Sequence, residues 1–156
     1  MVSFILRSGI SFRESYGGGI VQEYNLELDY YGLLNLHKAL LEAKFHTMPD
    51  NELVSGSPII ANIYIQVRDL LITSDKGDQW KNWFQLGNRP DRKRQAIALM
   101  KNDESWSNAT IGEKEKIASN YLAPFIFDEK ELEGVIAEVD QNRNATVDTF
   151  EQKPNI

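Results

Sequence analysis

In the stretch SPIIANIYIQVRDLLI, residues 57–72, apolar side chains recur at helical spacing on nearly every side. Ser57 is placed to cap the helix start and Pro58 to occupy its first position, where a missing N–H costs nothing. Ile60, Ile63, Tyr64, Val67, Leu70 and Leu71 form one face, while Ile59, Ile65 and Ile72 fill much of the remainder. A helix with so little polar surface has to be enclosed by other elements. The stretch therefore predicts the central helix of a core, although its β-branched residues slightly lower intrinsic helix propensity.

The flanking sequence supplies the enclosure. From Asp29 to about Phe45, the residues Leu33, Leu36, Leu40 and Ala43 recur at helical spacing, with Leu34 and Leu41 widening the stripe, and Pro49 marks a loop. A short helix is expected over 79–86, and another from Pro90 carrying Ala96, Ile97, Leu99 and Met100. Thr110 and Glu113 have the spacing of a capping box ahead of Ile117, Ala118, Tyr121 and Leu122, and Pro124 ends that helix. Asp128 and Glu131 repeat the box, with Phe127 and Leu132 at the spacing of a hydrophobic staple.

Ahead of the helices, VSFILR, ISFRE and QEYNLELD read as strands separated by Ser8-Gly9 and by the glycines at 17–19. In the third, Tyr24, Leu26 and Leu28 alternate with Glu23, Asn25, Glu27 and Asp29, as in an antiparallel sheet covered on one side. The expected fold class is α+β: an antiparallel meander over about 2–28, packed by five to six helices over about 30–140. A single domain over 1–140 would then leave 141–156 as a polar tail or a loop-like segment.

With 156 residues, 42% hydrophobic and 26% charged, the chain is the size of one domain. It has no cysteine, which excludes disulfides, thiolate nucleophiles and cysteine zinc sites. No apolar run approaches a membrane span, and the first residues lack the pattern of a secretory leader, so a cytoplasmic protein is expected. The net charge of −6 is unevenly distributed. Residues 76–101 hold seven Lys or Arg against two acids, whereas 102–156 hold five against twelve. Overall acidity makes nucleic acid an unfavourable partner.

Near the C-terminus, EVDQNRNATVDTFE places oxygen-bearing side chains at alternate positions from Asp140. With Glu131, Leu132, Val135, Ile136 and Val139 before it, this segment resembles the EF-hand calcium-binding motif over 131–151. The resemblance implies calcium ligands from the side chains of Asp140, Asn142 and Asn144, the carbonyl of Thr146, Asp148 through water, and both oxygens of Glu151. Ala145 stands where the family has the glycine of its sharp turn.

A second candidate is WKNWFQLGNRPDRKRQ, in which Trp80 and Trp83 precede Arg89, Arg92, Lys93 and Arg94 at a helix start. Cations there oppose the helix dipole, so an anionic ligand, solvent or the acidic C-terminal segment would have to balance them. The tryptophans, with Phe84, share one helical face and read as core anchors rather than stacking platforms. The glycines at 17–19 are followed by a strand pattern, which does not suit a phosphate loop, and His37 and His46 have no metal-ligand spacing.

No catalytic constellation emerges. The leading expectation is a non-enzymatic interaction or regulatory domain, of inhibitor or immunity type, using its acidic surface on a basic protein partner, with no cofactor and no membrane contact. A calcium-responsive domain at 140–151 and an anion-binding domain or enzyme at 89–94 are the alternatives.

Overall fold

A computed structural model describes residues 4–7, 25–46 and 53–151, with side chains described over 26–46 and 53–143. The chain order is β1 (Phe4–Arg7), β2 (Asn25–Leu28), α1 (Tyr30–Phe45), α2 (Leu53–Gly56), α3 (Pro58–Ile72), α4 (Gly77–Trp83), α5 (Pro90–Met100), α6 (Ile111–Leu122) and α7 (Glu129–Glu151). Short 3-10 turns at Leu86–Asn88 and Glu104–Asn108 precede α5 and α6.

The starts follow the local chemistry. Asp29 caps α1 by accepting from the Gly32 amide at 2.7 Å, and Ser57 caps α3 ahead of Pro58. Thr110 and Glu113 close a reciprocal capping box on α6. Asp128 accepts from the Glu131 amide at 2.8 Å while the Glu131 carboxylate accepts from the Asp128 amide at 3.1 Å, so α7 begins with the same device.

The central position expected for α3 is observed. Ala61, Tyr64, Val67 and Leu71 are buried, and α3 contacts α1, α2, α4 and α6. Leu33 and Phe45 of α1, Ala96, Ile97 and Met100 of α5, Ala118 and Leu122 of α6, and Val135, Ile136 and Val139 of α7 complete the core. Gly56 lies against the Tyr121 ring so closely that a Cβ would sit 2.7 Å from Cζ, which sets how near α2 approaches α6.

One expectation changes. The described residues form a predominantly helical fold rather than a clear α+β one. β1 and β2 pair antiparallel, with Phe4 opposite Leu28 and Arg7 opposite Asn25, but each is four residues long. Leu26, expected on a covered apolar face, is 53% exposed, and among the described residues the core gathers around α3. The middle strand expected at 10–14 lies outside the described residues. At the other end, α7 crosses residue 140 without a break and continues to Glu151.

The 123–128 connection between α6 and α7 contains a cis Ala123–Pro124 peptide bond. It is held at Ile126, whose amide donates to Phe84 O at 2.8 Å and whose carbonyl accepts from the Leu86 amide at 2.9 Å. Arg68 Nη1 donates to Pro124 O at 3.1 Å. This fixes the α6–α7 pair on which the acidic residues sit.

Candidate functional site

The two segments singled out by sequence are drawn into the fold in different ways. In the basic one, His37, 4% exposed, is surrounded edge-to-face by Trp80, Trp83 and Phe84, with ring centroids 5.2, 4.8 and 5.6 Å away. Tyr64 Oη lies 3.0 Å from His37 Nδ1 and donates to His37 O at 3.2 Å. Burial, helped by the charges of Lys38 and Arg89, lowers the imidazole to about 4, so it packs as a neutral ring. Trp80 and Trp83 are therefore half-buried anchors of α4 on α1.

Two of the cations at the start of α5, Arg89 and Arg92, find neighbours close by in sequence. The Arg89 guanidinium lies 4.2 Å from the Trp83 ring centroid and its Nε donates to Trp83 O at 3.2 Å. Arg92 donates to Gln95 at 2.9 Å and pairs with Asp91 at 3.5 Å. Lys93 is half-buried and Arg94 exposed.

Residues 140–151 are helical throughout, and no non-glycine residue among those described has a positive φ. A helical backbone over 140–151 differs from the tightly curved loop that the calcium-binding resemblance implies. Asp140 is engaged elsewhere: its Oδ1 accepts from Trp106 Nε1 and from Lys114 Nζ, both at 2.8 Å. Partial desolvation works against its charge, but the hydrogen bonds from Lys114 and Trp106 and the fields of Lys114 and Arg143 hold it below the ordinary carboxylate range. One turn on, Arg143 caps the end of α5, donating to Lys101 O at 2.6 Å, Asp103 O at 3.0 Å and Ser107 Oγ at 2.7 Å. The segment thus bolts α7 to its neighbours. No cluster of three His, Cys, Asp or Glu among the described residues could hold a metal. The calcium reading is tested by thermal unfolding: a calcium-specific rise in midpoint relative to magnesium, abolished by Asp140→Ala, would establish a site at 140–151, and an unchanged midpoint would remove it.

The feature that sequence reading missed lies between α6 and α7. Ile111 and Glu115 of α6 face two adjacent rows of α7, Glu129–Glu133–Ala137 and Leu132–Ile136–Asp140, around a groove of about 300 Å³. Ile136 is 5% exposed at the base, whereas Ile111 is 66% exposed at the edge. Four carboxylates line this apolar groove. Only Asp140 has a cation on it; among the described residues no ion pair involves Glu115, Glu129 or Glu133. One signal for the groove was present in the sequence. Ile111 precedes buried Ala118 by seven residues and so shares its helical face, which means that the apolar stripe of α6 runs one turn past its cover.

No family model matches the chain, and no curated protein or solved structure matches it. No helix among the described residues is long and apolar enough to cross a membrane.

Proposed function

We propose that this chain is a non-enzymatic interaction domain that receives a cationic protein partner on the α6–α7 face. The observation carrying the proposal is the apolar groove ringed by Glu115, Glu129, Glu133 and Asp140, three of them without a pairing cation among the described residues. Uncompensated carboxylates beside exposed apolar surface favour a partner that brings both opposite charge and apolar side chains. The basic segment supports the same reading, because Arg89 and Arg92 are already engaged by Trp83, Gln95 and Asp91.

A titration with a labelled lysine-rich peptide tests it. Binding is expected at low salt, weakening as salt is raised. Glu115→Gln, Glu129→Gln and Glu133→Gln combined should weaken it about tenfold or more, whereas Lys93→Gln with Arg94→Gln should not. Absence of binding at low salt, or binding indifferent to the three acidic substitutions, would refute the proposal.

A further inference from the structure

Charge alone would leave the partner undefined, since any basic surface could approach an acidic one. The groove narrows the choice. Its volume of about 300 Å³ lies at the lower end of the range for small-molecule pockets and suits one large apolar side chain or two smaller ones. Apolar lining atoms come from Ile111, Leu132, Ile136 and Ala137, and carboxylates stand on both helices around them: Glu115 on α6, Glu129 and Glu133 on α7. The two glutamates of α7 are four residues apart, one helical turn, so their separation along the groove is about 6 Å. A single cation cannot answer both helices and also cover the apolar base. A metal ion would need convergent ligands, and the described residues offer no such cluster. A second copy meeting face to face would bring the same acidic residues together and repel.

We infer that the occupant is an amphipathic basic segment of another protein, seating one apolar side chain between Ile111 and Ile136 and placing Lys or Arg about one helical turn to either side, against Glu115, Glu129 and Glu133. This rests on the reading of the α6–α7 face given above and adds the anchor and its spacing. Burial of Ile111 is where the apolar contribution concentrates, because it is the most exposed large apolar side chain of the groove.

Ile111→Glu separates the two contributions. It makes the face more acidic while removing its apolar edge, and an acid in the first turn of α6 is favoured by the helix dipole, so the fold is retained. The probes are two labelled peptides, one with a central phenylalanine flanked by lysines one helical turn away on each side, the other with alanine in its place. Fluorescence anisotropy at low salt should show the phenylalanine peptide binding about tenfold tighter than the alanine peptide to the unaltered protein. With Ile111→Glu that preference should vanish, the phenylalanine peptide falling to the level of the alanine one. An unchanged preference, or equal binding of both peptides to the unaltered protein, overturns the anchor while leaving the acidic-face reading intact. If neither peptide binds, both readings fall. Salt-sensitive self-association that competes with the peptide would assign the groove to the basic face of a second copy, and would also overturn the inference.

Discussion

Raising the pH from about 7 to about 9.5 is expected to stabilise the fold by about 3 kcal/mol through one residue, Lys44. Lys44 is 1% exposed, and its Nζ donates to Ser55 O at 2.7 Å and to Asn120 O at 2.9 Å, joining the end of α1 to α2 and to the end of α6. Burial lowers its pKa from the ordinary 10.5 to about 7. Between those values the unfolded chain carries a proton that the folded chain lacks, so each pH unit gained favours the fold by about 1.4 kcal/mol. That contribution is fully present above the unfolded value and lost as pH falls to the folded one. The upper limit of the window is set by Tyr64, whose hydroxyl burial holds protonated, so the fold loses stability above the ordinary tyrosine value of 10. His37 acts on the acidic side: its pKa is lowered from 6.5 to about 4, and stability is lost as pH falls across that interval. Urea titrations across the window measure the effect. Lys44→Met, which keeps the length of the stem and removes the ammonium, should flatten the rise above pH 7 and preserve the fall below 6.5. A wild-type protein with no rise, or a variant that keeps it, would contradict the buried state of this lysine.

The second large effect is expected at Trp106. The residue is 1% exposed in the 3-10 turn before α6 and is the largest fully buried side chain described. Trp106→Ala should cost about 3–5 kcal/mol, by loss of burial and the cavity left behind. Trp106→Phe should cost about 1–2 kcal/mol, because it keeps most of the apolar contact but removes the N–H that Asp140 accepts at 2.8 Å. The half-exposed Lys114–Asp140 pair adds at most about 1 kcal/mol. A double-mutant cycle between Trp106→Phe and Asp140→Asn, read by chemical unfolding, should show coupling of about 1 kcal/mol. If Trp106→Ala were tolerated with a loss below about 1 kcal/mol, the attachment of α7 to the bundle would be misassigned.

Where local chemistry governs, the sequence was readable. Ser57-Pro58, the Thr110–Glu113 box and the Asp128–Glu131 box each satisfy helix-start amides within four residues, and all three helices start where they indicate. The central position of α3 followed from its nearly continuous apolar surface. What escaped depended on distant partners. Asp140 and Arg143 look like loop residues beside Asn142, Asn144 and Thr146, all weak helix formers, yet they are held by Lys114, Trp106 and carbonyls at the end of α5. Lys44 has the spacing of the buried face of α1, eleven residues after Leu33 and seven after His37, but nothing local names α2 and α6 as its cover. The groove was legible on one side alone: the stripe of α6 reaches Ile111, but Ile136 is 25 residues away and meets it only because α6 and α7 fold back on one another.

The most direct measurement is a backbone-amide NMR titration of the isotopically labelled protein with the phenylalanine-bearing lysine peptide at low salt. Perturbations are predicted to concentrate at Ile111, Glu115, Leu132, Glu133, Ile136 and Ala137, the two sides of the groove. Perturbations centred on α4 and α5, spread evenly over every acidic residue, or missing at low salt would contradict it.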